Sequence, residues 1–564
     1  MKNFISDVLV IGGGLAGCWA AYRASQLGAN VILVDKARVG TSGCSTFAAG
    51  DILWWTPQDD LNGWLKNYAR WGGYLLDPEW FVTLCHDIYD RVLEMDQWGA
   101  PFERDEQGKL VRKPGRGHNA AVVFPGLELM KLMRKRVNDV GAQILDNVMI
   151  TDLVVEDDKL LGAVGFHIRS GEFYLIEAKA VVLATGGCSW KGNYFGQDMV
   201  CGEAYALAYR HHAQLMNMEY SNCYNSTYRF FDVYGLSRFQ RLGGKFTNAR
   251  GDCFMSKYDD ELGEGAFLHT LAFGMAKEVL EGRGPIYFDL LDMKEEDRKL
   301  SRKLLPMLFD MFKQAGIDLF KERLEWLPGF QGSVGTGSGI SVIDISCTSS
   351  LKGLYAAGDA ACEGLVIGGI NGPGAINLSW AIVTGYRSGE GAAQLAKSLQ
   401  VKNPSKSLIN GLEKGTFRFL THGGIIPPQD VYYQLQETVI GWDKSIIRHG
   451  ERLKASLNEV YRIGTEVIPK MKANDAHQLM RAHEAEATLL TTEMVLRSAL
   501  LRTESRAAHY REDYPKTDNV HWLKWIVVEK GEKGMKLNTL DIPRRNYEKY
   551  GVDLPISESS RREL

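Results

Sequence analysis

The chain has 564 residues, with 66 lysines and arginines against 69 aspartates and glutamates. A chain of this length exceeds the size at which one hydrophobic core keeps growing, so we expect two or three domains. The charge is nearly balanced and no basic block stands out, which argues against a nucleic-acid partner.

The nine cysteines are scattered and form no Cys-x-x-Cys pair. This spacing argues against an iron–sulfur cluster or a structural zinc held by this chain, and we predict no metal site. An odd, dispersed set of cysteines is typical of reduced thiols in the cytosol. The first residues lack the layout of a signal peptide, and no apolar stretch approaches the ~18 residues that span a bilayer. We therefore predict a cytoplasmic protein.

The first predicted elements form a strand–turn–helix–strand unit. Val8–Ile11 is a short apolar run of the kind found in buried parallel strands, and Val31–Asp35 is a second. The apolar spacing between them predicts a helix over Ala16–Leu27, which Gly28 ends.

The turn of this unit has the pattern Gly-x-Gly-x-x-Gly. Gly12 permits a tight turn, Gly14 lets the backbone approach a pyrophosphate, and Gly17 lets the helix pack closely. Asp35, which ends the second strand, can accept a hydrogen bond from a ribose hydroxyl. Because the strand, the glycine turn, the helix and the acid follow one another at the expected spacing, the pattern favours nucleotide binding over a glycine turn without a ligand.

Distant segments favour FAD over NAD. Ala180–Gly187 is predicted as a strand ending in small residues, and Leu354–Asp359 as a strand with an acid at its end. They resemble the second and third FAD contact segments of the two-dinucleotide-type flavoproteins, where the late acid binds the ribityl chain. After Gly368–Gly374, a helix predicted over Ala375–Tyr386 would direct its positive end at the flavin and favour the reduced anion.

The order of these segments resembles the flavoprotein subunits of succinate dehydrogenase, fumarate reductase, L-aspartate oxidase and adenylylsulfate reductase. The most specific match is Arg502–Pro515, which resembles the helical-domain signature of the group and is expected to be a structural ion-pair hub. The resemblance implies an α/β fold: a two-dinucleotide-type, Rossmann-like FAD-binding domain, an inserted α+β capping domain and a C-terminal helical domain. The expected boundaries are 1–220 and 332–404 for the discontinuous FAD-binding domain, 221–331 for the capping domain, 405–525 for the helical domain and 526–564 for a C-terminal tail, whose polar end is a candidate docking arm.

The motifs and the resemblance together give a set of predicted FAD contacts. In covalent members of the group a histidine of the early loop is bonded to the flavin, and that position here is Cys44. We therefore expect noncovalent FAD, with attack by a cysteine thiolate as the lesser alternative. The predicted contacts are Gly12, Gly14, Leu15, Ala16, Gly17, Asp35, Lys36, Ser42, Gly43, Cys44, Ser45, Thr46, Ala48, Ala49, Gly50, Ala184, Thr185, Gly186, Gly202, Glu203, Gly358, Asp359, Gly374, Ala375, Asn377 and Leu378.

The substrate positions depart from the group. Fumarate reductases hold a dicarboxylate with histidine and arginine side chains, whereas the corresponding positions here fall at Leu268–His269 and Ile370, and Gly332–Gly339 contains no histidine. Two carboxylates left unpaired in a desolvated pocket would cost several kcal/mol. We therefore predict an organic substrate that is larger, flatter or less charged than fumarate or succinate.

Several side chains are candidates for the chemistry. Tyrosines near a flavin can donate a proton while a hydride leaves N5, and arginines can hold an anionic group bidentately. A histidine beside the lost arginine can replace it as proton donor. For each tyrosine and for the histidine, a purely structural role is the alternative. The candidates are Tyr220, Tyr224, Tyr228, Arg238, Arg241 and His269.

The predicted function is hydride transfer between FAD and an organic substrate, across a carbon–carbon bond beside an electron-withdrawing group. Two alternatives stay open: an adenylylsulfate-reductase-like subunit that acts on a sulfur compound, and a noncatalytic flavin module that relays electrons. The chain shows no second nicotinamide fingerprint. By analogy with the group, electrons are expected to pass through an iron–sulfur, ferredoxin-like partner subunit.

Overall fold

The apolar run Val8–Ile11 lies in the middle of a parallel sheet, and its first three residues are fully buried. The structure is a computed structural model that describes residues 1–48, 50–114, 120–192, 196, 198–221, 226–231, 233, 239–240, 242–328, 337–400 and 402–555. The parallel strands follow the order Gln143–Asp146, Val31–Asp35, Lys2–Ile11, Phe173–Leu183 and Leu354–Ala356.

Two further strands extend this sheet in the antiparallel sense. Val148–Glu156 pairs with Lys159–His167, which pairs with the first half of Phe173–Leu183. The predicted helices of this part are confirmed, as Leu15–Gln26 and Ile376–Lys397. The second continues well beyond the predicted end because its inner face stays buried as far as Ala396.

Other elements surround the main sheet. A small antiparallel sheet joins Asp51–Leu53, Ala120–Val123 and Arg112–Pro114. The remaining helices of this region are Leu61–Trp71, Pro78–Gln97, Gly126–Asp139, Glu203–Arg210 and Gly364–Ile367, with short 3-10 turns at Cys44–Phe47, Met218–Tyr220 and Gly358–Ala360.

A separate apolar core lies under a four-stranded antiparallel sheet, in the region predicted as the capping domain. The sheet order is Ser226–Tyr228, Leu324–Pro328, Ile286–Asp289 and Lys245–Thr247. Phe288 and Trp326 are almost fully buried in this core. Its helices are Leu268–Leu280, Glu295–Leu304 and Pro306–Gln314, and 3-10 turns lie at Met255–Lys257 and Gly263–Gly265.

The C-terminal third is helical at first. Its helices are Lys406–Thr421, Pro428–Val439, Trp442–Ser445, Gly450–Arg462 and Ala476–Leu501, with a π turn at Ile463–Val467 and a 3-10 turn at Ile468–Lys470. Arg502 then reaches back to Glu219 at 2.8 Å and to Glu504 at 2.9 Å, and all three side chains are fully buried. The predicted ion-pair hub is thereby confirmed. No described helix is long and apolar enough to cross a membrane.

The polar C-terminal segment is folded onto the body as far as residue 555; residues 556–564 of the expected docking arm lie outside the described part of the chain. Lys524–Gly531 and Gly534–Asp541 form a hairpin that pairs with Leu215–Met216. Tyr547, on the helix Arg544–Lys549, is fully buried and donates its hydroxyl to the Leu76 carbonyl at 2.8 Å. On the first strand the four consecutive residues 525–528 are buried, whereas most of the second strand is exposed, including Leu540. The domain boundaries remain a proposal.

Candidate functional site

A cleft opens at the edge of the main sheet where the central parallel strands end. Carboxyl ends of parallel strands share one edge of a sheet, so the cleft gathers segments that are hundreds of residues apart. Twenty of the predicted contacts line it: Gly12, Gly14, Leu15, Ala16, Asp35, Lys36, Ser42, Gly43, Cys44, Ser45, Ala48, Ala184, Thr185, Gly186, Glu203, Gly358, Asp359, Gly374, Asn377 and Leu378.

The remaining predicted contacts lie beside the cleft or outside the described residues. Gly17, Thr46, Gly50, Gly202 and Ala375 are not among the lining residues, and Ala49 lies outside the described part of the chain. Sequence reasoning missed the apolar part of the wall: Ile11, Val34 and Ala357 lie in strands that the sequence predicted, and most of the other residues carry no motif and reach the cleft only through the fold. That part consists of Ile11, Val34, Phe47, Val148, Met149, Ile150, Met199, Val200, Leu207, Ala357 and Ala381; Gly13, Asp51, Leu268 and Gly372 also line the cleft.

The start of the helix Leu15–Gln26 is suited to a pyrophosphate. It has no side-chain cap and no acid in its first turn, so its N–H groups and positive dipole end face the cleft. Gly12 has a φ of +108°, and a Cβ there would lie 2.3 Å from the Ala184 oxygen. A Cβ at Gly17 would lie 1.8 Å from the Gly12 oxygen, so the helix packs as closely as the motif predicts.

Asp35 lies at the adjoining wall with its carboxylate held by the backbone. Gly13 N–H donates to Oδ2 at 2.7 Å and Ala37 N–H donates to Oδ1 at 2.6 Å. Burial raises the pKa of this carboxyl. Each carboxylate oxygen has a second lone pair, so the pair can still accept from a ribose hydroxyl.

Beside Asp35, Lys36 joins a buried charge network. Its ammonium contacts Glu203 and lies 2.6 Å from Glu484 Oε1, and Lys191 lies 3.0 Å from Glu484 Oε2. Burial alone would lower the pKa of Lys36, but the two carboxylates raise it well above its usual value. The Cys201 sulfur and the Glu203 and Glu484 oxygens lie within 4.8 Å of one another, a spacing that a metal could use. The two ammonium groups already neutralise these carboxylates.

Another part of the cleft wall is built by the late segments. The turn that carries Asp359 is fixed by Gly358 N–H, which donates to the Thr384 hydroxyl at 2.9 Å. The helix Ile376–Lys397 starts beside it without a side-chain cap, and Asn377 of its first turn lines the cleft. An uncapped helix start next to an acid fits a flavin with its ribityl chain.

Cys44 lines the cleft near this end and is half-buried. Burial raises the pKa of its thiol, and the charges of Asp359 and Asp198 raise it further. The reactive thiolate is therefore disfavoured.

The cleft wall is apolar at Leu268, one of the positions that correspond to substrate-binding residues of fumarate reductases. Leu268 lines it and packs against Gly372: a Cβ built at Gly372 would lie 2.2 Å from Leu268 Cδ1. Ile370, which the sequence placed at one arginine position, is fully buried in the main core and is not a lining residue. The residues of this loop that line the cleft are Gly372 and Gly374.

His269 lies next to Leu268 and is partly buried. The backbone N–H of Asn371 donates to the Nδ1 of His269 at 3.2 Å. A neutral ring that accepts at Nδ1 carries its proton on Nε2. The ring is parallel to that of Phe267, with 6.2 Å between the centroids.

Among the described candidates, Tyr220 and Tyr228 do not line the cleft. Tyr220 is fully buried behind the late glycine loop, where a Cβ at Gly369 would lie 2.7 Å from its ring. Tyr228 packs in the aromatic core of the capping region, 4.9 Å from Phe231 between ring centroids. Both positions match the packing alternative. Tyr224, Arg238 and Arg241 lie outside the described residues.

Comparisons with known proteins cover nearly the whole chain. Residues 7–378 match the family described as FAD binding domain, and residues 434–553 match fumarate reductase flavoprotein C-term. A subunit of the fumarate reductase (CoM/CoB) of Methanothermobacter marburgensis is 30% identical over 93% of this chain and 97% of its own length. An "uncharacterized FAD-dependent oxidoreductase" of Methanocaldococcus jannaschii is 28% identical over 94% of this chain and 97% of its own.

Solved structures share the fold. The FrdA chain of E. coli quinol fumarate reductase superposes with a TM-score of 0.86 at 21% identity, covering 96% of this chain and 97% of that one. An adenosine-5-phosphosulfate reductase in complex with sulfite superposes with a TM-score of 0.81 at 21% identity, covering 96% of each chain. The predicted arrangement of an α/β FAD-binding domain with a helical C-terminal domain is confirmed.

Proposed function

The chain belongs to the fumarate reductase and succinate dehydrogenase flavoprotein family and is an FAD-dependent oxidoreductase, and we propose that its substrate is an organic molecule other than a dicarboxylate. When bound, FAD supplies a hydride donor or acceptor at N5. The proposed reaction reduces or forms a carbon–carbon double bond beside an electron-withdrawing group.

The single observation that carries this proposal is the contact between Leu268 and Gly372. These residues form the cleft wall with a methyl group and a glycine, neither of which can pair with a carboxylate. A carboxylate placed against this part of the wall would have no charged partner there, at a cost of several kcal/mol in a desolvated site. A less charged substrate with an apolar face avoids this cost.

His269 is the proposed proton donor. Its Nδ1 accepts a hydrogen bond from the backbone N–H of Asn371. This hydrogen bond orients the ring and leaves the proton of the neutral form on Nε2. The adjacent residue Leu268 lines the cleft, so the histidine stands at the border of the site. Reduction of a double bond needs one proton for each hydride, and a positioned histidine can supply it.

We propose that FAD is held without a covalent bond by the cleft residues predicted above. The raised pKa of the Cys44 thiol supports this proposal, because a protonated thiol is a poor nucleophile. We also propose a cytoplasmic location and an iron–sulfur partner subunit. The M. marburgensis relative is itself named as one subunit of an enzyme, which supports assembly with another chain.

The test is reoxidation of the photoreduced holoprotein by stopped-flow absorbance at the flavin band. Fumarate is the reference acceptor, because the name of the M. marburgensis relative specifies it. Uncharged and monoanionic enones and enoate esters form the panel, with a sulfite and adenylylsulfate arm. The proposal expects fast reoxidation by at least one unsaturated panel member and slow reoxidation by fumarate.

Other outcomes would replace the proposal. Rapid turnover of fumarate would remove the argument from Leu268 and Gly372. A flavin adduct with sulfite would favour the adenylylsulfate-type alternative, and oxidation by protein acceptors alone would favour an electron relay. Isolation of a fully active protein free of iron would remove the proposed iron–sulfur partner.

A further inference from the structure

Glu363 is a buried carboxyl beside the cleft that the proposed reaction does not use. It is the N-cap residue of the helix Gly364–Ile367, and its side chain is fully buried. Oε2 accepts from the Asn377 amide nitrogen at 2.9 Å, while Oε1 has no hydrogen-bond partner among the described residues. Asn377 lines the cleft, so this carboxyl acts on the cofactor site through one intermediate side chain.

The surroundings of Glu363 do not support a negative charge. No described lysine or arginine forms an ion pair with it, and its one donor is a neutral amide. The acid whose charge acts on it is Asp359, four residues earlier on the cleft wall. An isolated carboxylate in such a site is far less stable than the neutral acid.

We propose that Glu363 is held as a neutral carboxylic acid and positions Asn377 on the wall of the FAD site. The acid can hold the Asn377 amide without placing a second negative charge next to Asp359. Burial, and then the charge of Asp359, raise the pKa of Glu363 well above its usual value, which agrees with this assignment. A second charge would also oppose the reduced anionic flavin that the neighbouring helix start favours.

The proposal depends on FAD binding alone and not on the substrate proposed above, so the two can fail separately. The first measurement is the infrared difference spectrum between the wild-type holoprotein and Glu363→Gln at neutral pH. The C=O stretch of a protonated carboxyl must be present in the wild type and absent from the variant. A difference spectrum that shows the loss of an ionised carboxylate instead overturns the proposal.

The second measurement is the affinity of the apoprotein for FAD. Glu363→Ala removes the acceptor for Asn377 and is expected to weaken FAD binding roughly tenfold. Glu363→Gln keeps an acceptor of the same shape and is expected to stay within about threefold of the wild type. In a double-mutant cycle of Glu363→Ala with Asn377→Ala, the two losses of FAD affinity should be less than additive, because both substitutions remove the same hydrogen bond.

The matched control is Glu177→Gln. Glu177 is also buried and also has an oxygen without a partner among the described residues, but no described hydrogen bond joins its side chain to a residue of the cleft, so this variant should bind FAD as the wild type does. Equal FAD affinity in Glu363→Ala and the wild type, or full additivity in the cycle, overturns the positioning role. If Glu363→Ala does not fold, the infrared comparison with Glu363→Gln still decides the protonation state, and Glu363→Met, which has a similar size but no oxygen that accepts from Asn377, replaces Glu363→Ala in the cycle.

Discussion

Leu268 fills the space into which a side chain at Gly372 would project. A Cβ at Gly372 would lie 2.2 Å from Leu268 Cδ1 and 2.4 Å from its Cγ, and the glycine has a φ of +62°. The capping region and the late FAD loop therefore meet at two positions that constrain each other, and neither position offers a charge to a substrate.

Gly372→Ala is expected to lower the free energy of unfolding by about 1–3 kcal/mol, because it combines a left-handed φ with the overlap. In a Leu268→Ala background the same change should cost roughly 1 kcal/mol less, since the two closest atoms of Leu268 are removed while its Cβ, at 2.7 Å, and the strained φ remain. Urea unfolding of the four proteins measures both values. Gly265→Ala is the control, because no atom lies within 4 Å of a Cβ there. An equal cost of Gly372→Ala in both backgrounds would contradict the contact.

Precipitation of the holoprotein with acid is expected to leave all of its FAD in the supernatant. Burial raises the pKa of the Cys44 thiol, so the thiolate that would attack the flavin is scarce. Absorbance of the supernatant and fluorescence of the denatured protein on a gel measure the partition. Cys44→Ala should behave identically. A flavin that stays with the wild-type chain and leaves the Cys44→Ala chain would show a cysteinyl bond.

His269→Gln is expected to lower the rate of flavin reoxidation by the unsaturated acceptor roughly 10²- to 10⁴-fold, the range typical of a lost general acid. The flavin absorption spectrum and FAD affinity should not change, because His269 is not a lining residue. Stopped-flow reoxidation measures the rate, and His477→Gln, an exposed position, is the control. A variant that keeps the wild-type rate would return His269 to a structural role.

The protein is expected to lose stability in acid partly through His483. Burial, together with the charge of Arg418, lowers the pKa of this ring to about 4, and its Nε2 lies 2.8 Å from the Thr416 carbonyl. A lowered folded pKa means that the stabilisation is complete above about 6.5, the unfolded value, and is lost as the pH falls towards 4.

Urea unfolding at pH 7 and pH 4 checks this effect. His483→Gln can still donate to the Thr416 carbonyl but has no proton to gain, so its loss of stability over this interval should be smaller by roughly 3 kcal/mol. Equal pH dependence of the variant and the wild type would assign the acid sensitivity to other groups.

Much of the FAD site was predictable because its residues act through the backbone. Gly12 and Gly17 are needed because a Cβ at either position would overlap with neighbouring backbone atoms. A glycine pattern of this kind is visible in the sequence. The sequence could not indicate that Ile370 is buried in the core while Gly372 and Gly374 line the cleft, because this depends on how the loop packs. Tyr220 and Tyr228 could not be assigned from the sequence, since a tyrosine in a core and a tyrosine at an active site have the same local pattern.

Local sequence patterns were enough to establish the parallel sheet, the glycine turn, the family resemblance and the identity of the cofactor, because these depend on short segments with a fixed geometry. The folded chain was needed to show that the polar C-terminus is a packed hairpin, that Met149 and Val200 line the cleft, and that Glu363 lies buried against Asn377. These relationships join residues far apart in the chain. Whether a charge is buried and what it contacts depend on the folded neighbours, and no local pattern records them.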